Sequence, residues 1–375
     1  MELSRRSFIN KAVLATACAA GPGFMLSACS GMTRIDLASA RREFETIPSV
    51  SDDFAEILYY ASLAPSGHNA QPWFVKILNE NTWIIGSDLQ RRLPAVDPTN
   101  REALLSIGAF AENLSIAAAA KGYETTMETV AGDPFDEDII KVVLKKAKAG
   151  SYPLHRLASR RKVKKGYRPI ELKSDDVTFL SEPLKGHLFY FPRESEHAGC
   201  IAEGTVEAFR AQAYRDEAQS ELAEWIRFSN KEATLHRDGM TTESMEIGGL
   251  AGWYVRNFMD KSDVMTETFR EQGIKGTAEA VQEGAGWFII TSKGDGVADL
   301  IETGRRFERM FLLARERMVA IQPMTQILEE KKWRDEIASE HGPDMIPQFI
   351  LRVGYLDTYP DPVSLRRPVN RFLRT

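Results

Sequence analysis

The sequence predicts an α+β chain, and three observations carry that expectation. Apolar residues recur at helical spacing in several stretches, and short runs rich in aromatic and β-branched residues lie between them. The order helix, strand, buried helix, strand also occurs in both halves, although their residues hardly match, which points to a divergent internal duplication. At 375 residues, 43% hydrophobic and 27% charged, the chain can bury an ordinary core.

The chain opens with Ser4-Arg5-Arg6-Ser7-Phe8-Ile9-Asn10-Lys11 and an apolar stretch from Ala12 to Ala28, the layout of a charged n-region and an h-region. The paired arginines resemble the twin-arginine export signal. Gly21-Pro22-Gly23 breaks the run, which falls short of the ~20 apolar residues that a spanning helix needs. Leu26-Ser27-Ala28-Cys29 resembles the lipobox of bacterial lipoproteins, so residues 1–29 read as a signal with Cys29 as the lipidation site. Cleavage there removes Glu2, Arg5, Arg6 and Lys11, a net charge of +2, and takes the formal charge of the body from -5 to -7. The expected location is the periplasmic side, on a lipid anchor to the membrane.

Residues 30–52 read as a tether. The first unit, 53–150, has a helix from Phe54 to Leu63, stopped by Pro65, and a strand from Trp73 to Leu78 whose hairpin partner is Thr82 to Ile85. The helix between Arg101 and Lys121 is apolar on nearly all sides and should be buried. Ile139 to Lys148 reads as an edge strand because it ends in alternating lysines. The second unit, 151–375, has a helix from Asp175 to Leu180, a strand from Trp287 to Thr291, a long helix from Asp299 to Met318 and a closing strand from Gln348 to Gly354. The insertion 194–275 holds charged helices with Trp225, Met240, Met245 and Trp253, and either covers a site or only packs.

Composition excludes several classes. Three cysteines, Cys18, Cys29 and Cys200, make neither a disulfide framework nor a zinc pattern, so no metal is expected and Cys200 reads as structural. Lys and Arg are spread along an acidic chain, which argues against nucleic acid as a partner. No Ser-His-Asp order, HExxH or Walker-type loop supports a hydrolase or nucleotidase.

The most informative run is Ala64-Pro65-Ser66-Gly67-His68-Asn69-Ala70-Gln71-Pro72-Trp73. A helix stops at a proline, small and hydrogen-bonding residues line a turn, and a strand begins, so hydroxyl, amide and backbone N–H groups can meet a polar planar ligand. This run strongly resembles the nitroreductase-like flavoprotein family, whose members carry Ala-Pro-Ser, two residues, Asn, one residue, then Gln-Pro-Trp. Arg92-Leu93-Pro94, Asp97-Pro98-Thr99-Asn100-Arg101-Glu102, Gly108-Ala109-Phe110 and Asn113-Leu114 resemble the branch in which two such modules are fused. Asp97 and Arg101 themselves read as a helix N-cap with a local salt bridge.

The resemblance implies a nitroreductase-like fold of two fused divergent modules that mimic the family homodimer, with FMN as cofactor. Pro65, Ser66, Gly67 and Asn69 would contribute one side of the cofactor site. Ser159-Arg160-Arg161-Lys162-Val163-Lys164 looks like the family's Arg-x-Ser-x-Arg start, which gives Arg160, Lys162 and Lys164 to the phosphate, with Lys162 where Ser or Thr is expected. The C-terminal segment contributes Arg366 and Arg367, whose planar forks suit phosphate oxygens. Pro323, Met324 and Thr325 occupy the position where the family sets backbone N–H groups against the flavin ring. The second half lacks a Pro-Ser/Asn turn, so one composite site per chain is expected.

With the flavin carrying the chemistry, no catalytic side chain is expected. The implied activity is reduction of a small planar acceptor, nitroaromatic or quinone-like, by an electron donor on the membrane side or a protein. The alternative is a protein that binds or sequesters FMN without efficient NAD(P)H reductase activity.

Overall fold

Residues 31–40, 50–341 and 346–374 are described by the structure, a computed structural model. The export signal, Cys18 and Cys29 lie outside them. The 30–52 region contributes helix α1, Arg34–Ala40. Helix α2, Asp52–Ser62, begins where the Ser51 side chain accepts from Phe54 N, and Asp52 and Asp53 complement its positive end. Strands β1 (Trp73–Asn79) and β2 (Thr82–Ser87) form the expected hairpin, in register from Trp73 opposite Ser87. Helix α3, Arg101–Ala120, follows, then strands β3 (Tyr123–Thr129) and β4 (Asp138–Lys146), giving the sheet order β3-β4-β2-β1.

The strand ending in lysines is therefore not an edge. β4 lies between β2 and β3, and its lysines stand on the solvent face, where Lys141 is opposite Glu128 and Lys145 opposite Glu124. Opposite charges directly across a ladder favour that pairing. The true edge, β3, is masked in the sequence by its own polarity: Thr, Glu and Tyr alternate there with little apolar signal.

The second half supplies α4 (His155–Ser159), α5 (Ser174–Ser181) and β5 (Leu188–Pro192). The insertion is six helices: α6 (Glu196–Tyr214), α7 (Asp216–Trp225), α8 (Asn230–His236), α9 (Gly249–Phe258), α10 (Lys261–Val264) and α11 (Glu267–Ala280). Then come β6 (Gly286–Ser292), α12 (Val297–Ala314), β7 (Val319–Pro323), α13 (Gln326–Glu329), α14 (Lys331–His341) and β8 (Ile346–Tyr355). The second sheet has order β5-β6-β8-β7. Numbered within its own half, each sheet has the order first, second, fourth, third, with antiparallel neighbours. β8 thus sits inside its sheet rather than closing it. The chain instead closes on the other sheet, where β9 (Leu373–Arg374) pairs in parallel with β1.

Helices α3 and α12 pack against each other between the sheets. α3 is long and apolar enough to cross a membrane, yet it is mostly buried against α2, α12 and the first sheet. The second sheet is covered on both faces, by Phe307, Met310 and Phe311 of α12 on one and by Ile201 of α6 with Ile327 and Leu328 of α13 on the other. That explains why every residue of β6 is buried while β3 and β4 alternate. Cys200 is exposed on α6, not part of the core, because the buried stripe of that helix passes through Ala198, Ile201, Thr205 and Ala208.

Candidate functional site

After α2 stops, the chain makes a tight turn in which three residues other than glycine, His68, Asn69 and Gln71, take left-handed conformations with φ of 47°, 53° and 54°. Such residues cost about 1–2 kcal/mol each and persist only where neighbours over-determine them. Here the neighbours are polar and come from far along the chain. Ser66 Oγ accepts from Gln71 N at 2.9 Å. Asn69 Nδ2 donates to Gly239 O at 3.0 Å and Leu365 O at 3.1 Å, and its Oδ1 accepts from the Arg366 guanidinium at 2.9 Å. Gln71 accepts from Arg367 N at 2.8 Å and donates to Arg237 O at 3.1 Å.

Arg366 and Arg367 lie beneath this turn, both buried. Arg366 donates to Leu63 O and Ala64 O at 3.1 Å each, and Arg367 to Gln71 O and Trp73 O at 2.7 Å each. Most of their donors therefore hold the turn, and the Nε of each has no hydrogen-bond partner. Burial, then the nearby Arg160 and Arg34, hold the Arg366 guanidinium well below its usual range.

The basic segment meets the turn from the other side. Arg160 donates to Leu63 O and lies 3.1 Å from the carboxylate of Glu308, a fully buried residue of α12. Burial pushes Glu308 up to about 7 against the pull of Arg160. Lys162 faces His68: burial, then the charge of Lys162, lowers the imidazole to about 4. Burial, then Lys164, lowers Lys162 itself to about 7, and burial also lowers Lys164. Glu246 is the carboxylate that attracts both ammonium groups, neither of which is in salt-bridge contact with it, and buried His68 Nδ1 has no hydrogen-bond partner. The alternate residues Arg161, Val163 and Lys165, with Glu243 and Glu246, border a cavity of about 610 Å³.

The insertion closes over this junction. Gly239 N donates to Asn69 O at 3.2 Å, Asp238 pairs with Arg91 and with Arg227, and Glu246 accepts from Arg161 at 3.2 Å and from Lys164 N at 3.1 Å. Gly239 has φ +69°, and a Cβ there would meet Trp225 O at 2.4 Å, so only glycine fits this crossing. Residues 237–246 thus span from the turn to the basic segment.

Pro323 ends β7, and Met324 and Thr325 follow it, Thr325 as the residue before α13. Met324 N is spent on Ile350 O at 2.8 Å and its side chain packs in the core beside Trp287, so the expectation of a free N–H fails at Met324. Thr325 Oγ1 lies 3.4 Å from Glu329, whose other carboxylate oxygen accepts from Gln212 at 2.5 Å. Glu102 lies beside Glu329, and burial followed by the charge of Glu102 raises Glu329 well above the usual carboxylate range. Glu102 in turn lies 3.2 Å from where a Cβ on Gly67 would stand. A carboxyl pair therefore joins the Thr325 segment to the turn. No sequence motif marks this pair, which forms only when α3 and α13 meet. The N-cap of α3 is Asn100, in a left-handed conformation without a side-chain cap bond, rather than Asp97, which lies three residues upstream and accepts from Ala103 N at 3.0 Å. Arg101 pairs with Glu102 at 3.0 Å and donates to Gln348 O at 2.8 Å, which corrects the local Asp97–Arg101 bridge.

The structure brings together Pro65, Ser66, Gly67 and Asn69 with Arg160, Lys162, Arg366 and Arg367, with Lys164 joined through Glu246. Among the described residues, no cluster of His, Cys, Asp and Glu could hold a metal ion.

No family model matches the chain. It is 23% identical over 326 residues to the "Putative NAD(P)H nitroreductase Rv3131" of Mycobacterium tuberculosis, covering 82% of this chain and 86% of that protein. It is 22% identical over 333 residues to the "Probable NAD(P)H nitroreductase PigM" of a Serratia strain, covering 81% and 90%. A solved structure, the FMN-dependent nitroreductase NfnB from Mycobacterium smegmatis in complex with NADPH, matches 59% of this chain and 96% of its own with a TM-score of 0.38 at 13% identity.

Proposed function

We propose that this chain, similar over 82% of its length to a protein carrying the name of an NAD(P)H nitroreductase, is an FMN-dependent oxidoreductase of nitroreductase type that reduces a small planar acceptor, a nitroaromatic or a quinone. The observation that carries the reading is the junction of turn and basic segment within one chain. Two half-buried ammonium groups that share the single carboxylate of Glu246 and have no salt-bridge partner of their own, with an orphaned imidazole nitrogen beside them, fit a phosphate, since clustered cations withdrawn from water favour an anion. Lys162, Lys164 and the Nε of Arg366 would hold that phosphate, while Ser66, Gly67, Asn69 and Thr325 would border the ring. Bound FMN would supply two-electron transfer between a donor and the acceptor. The protein's part is to orient the ring and exclude water, and Glu329, raised well above the usual carboxylate range by burial and by Glu102, stands near the turn.

The matching strand order of the two sheets supports two fused modules, 53–150 and 151–375, that stand in for the two subunits of a homodimer. The sequence of residues 1–29 supports export by the twin-arginine route, with Cys29 lipidated on the periplasmic side. A second reading, an FMN-holding protein with little NAD(P)H reductase activity, is favoured by residues 237–246, whose bonds to Asn69, Gln71, Arg161 and Lys164 lay a strap from the turn to the basic segment that would restrict access of a dinucleotide. The absorbance spectrum of the purified protein, followed by anaerobic titration with NADPH and with dithionite, separates the readings. One FMN per chain reduced by NADPH supports the reductase, reduction by dithionite alone supports the holder, and absence of flavin removes both.

A further inference from the structure

Helix α9 presents its apolar side to solvent. Leu250, Trp253, Tyr254 and Phe258 stand at i, i+3, i+4 and i+8, one face of a helix, with Leu250 64%, Trp253 38% and Phe258 50% exposed. The aromatic rings form one cluster: Trp253 and Phe258 meet edge to face at 5.2 Å, and Tyr254 stacks on Phe258 at 5.5 Å. The opposite face fixes the helix to the protein. Gly252 is so close to the preceding loop that a Cβ would meet Ile247 O at 2.3 Å, and Val255 and Met259 pack with Ile226, Phe228 and Val264. No carboxylate occurs on α9, whose one charged side chain, Arg256, turns toward Glu243 and pairs with it at 2.9 Å. A helix anchored by its inner side that exposes Leu, Trp and Phe fits a surface that is apolar below and wet above.

The path of the chain says which surface that is. Gly31 N donates to Glu243 Oε1 at 2.7 Å, the carboxylate that pairs with Arg256 of α9, and Met32 N donates to Asn230 at 3.0 Å. A Cβ on Gly31 would stand about where the Glu243 carboxylate lies, so any larger residue there would have to displace that carboxylate. Cys29 is two residues upstream, within about 7.6 Å of Gly31 by chain length alone. We infer that α9 lies in the interfacial layer of the bilayer, inserting Leu250, Trp253 and Phe258 beside the lipid on Cys29. This rests on the lipidation reading above. A lipid chain alone leaves the body free to swing, and α9 gives the second contact that fixes its orientation.

The test uses the full-length protein, reconstituted in phosphatidylcholine–phosphatidylglycerol vesicles containing brominated lipid, which quenches tryptophan on contact. The expected result is quenching in the wild-type protein that is lost in Trp253→Phe, with the same loss in Leu250→Ser combined with Phe258→Ser, two exposed positions that leave Trp253 in place. Equal quenching in all three proteins overturns the proposal and assigns the face to solvent or to a protein. The mass of the N-terminal peptide reports lipid on Cys29 separately. A peptide without lipid overturns the tether reading, and the quenching comparison then still decides whether α9 enters the bilayer.

Discussion

Gly108 of α3 and Gly304 of α12 sit at the crossing of the two central helices, where each backbone fills the space that the other's side chain would need. A Cβ on Gly108 would stand 2.3 Å from Ile301 O, and one on Gly304 would stand 2.1 Å from Leu105 O. The obstruction is backbone on both sides, so no rotamer relieves it. Gly108→Ala and Gly304→Ala should each destabilise the protein by about 3 kcal/mol through overpacking, read from urea unfolding. An alanine at either position that left the unfolding midpoint in place would mean that the helices are further apart.

The turn offers a finer comparison. Asn69→Ala loses hydrogen bonds to Gly239, Leu365 and Arg366 and keeps a left-handed residue, for a cost of about 2–4 kcal/mol. Asn69→Gly loses the same bonds but removes the steric strain, so it should be more stable than the alanine variant by about 1 kcal/mol. Chemical denaturation of the two side by side measures the strain directly.

Arg160 and Glu308 are a buried pair, and breaking one should cost more than removing both. Arg160→Leu leaves a fully buried carboxylate without its partner at about 3–5 kcal/mol, whereas Arg160→Leu with Glu308→Leu should recover most of that loss. A double-mutant cycle tests this, and additive effects would show that the two groups do not interact.

The pH dependence of phosphate binding follows from Lys162, lowered to about 7 in the anion-free protein. Its folded value is depressed, so between about 7 and the unfolded value the anion-free protein binds fewer protons than the unfolded chain, and this group's contribution to stability rises with pH across that window. A bound anion favours the charged ammonium, so binding takes up a proton above about pH 7. FMN affinity, followed by quenching of flavin fluorescence, should fall as pH climbs from 7 to 9. Lys162→Gln should bind more weakly at pH 7 and lose most of that slope.

Residues 237–246 are held in part by Asp238, which pairs with Arg91 and Arg227. Asp238→Ala should loosen the segment and speed anaerobic flavin reduction by NADPH in stopped flow, with reduction by the smaller dithionite little changed. Equal NADPH rates in variant and wild type would mean that this segment does not limit access.

Much of the architecture was legible because local pattern and tertiary environment agree. The Trp73–Leu78 and Thr82–Ile85 strands, the all-round apolar helix after Arg101 and the long helix after Asp299 carry periodicities that burial reinforces. The run from Pro65 to Trp73 was legible as a turn because proline, small and amide residues leave the backbone few alternatives. β3 was not legible, because a strand half exposed to water and stabilised by charges on its neighbour has little hydrophobic signal of its own.

The sequence by itself determined the α+β class, the order of the principal elements and the residue types that gather at the junction. Only the tertiary structure decided that the lysine-rich strand is interior, that Arg366 and Arg367 brace the turn, that Met324 N is consumed by β8, and that Glu102 meets Glu329. The reason is physical. Secondary structure follows from propensity and period within a short window, whereas the partner of a buried guanidinium, amide or carboxyl is whichever polar group the fold brings within about 3 Å, here from residues hundreds of positions away.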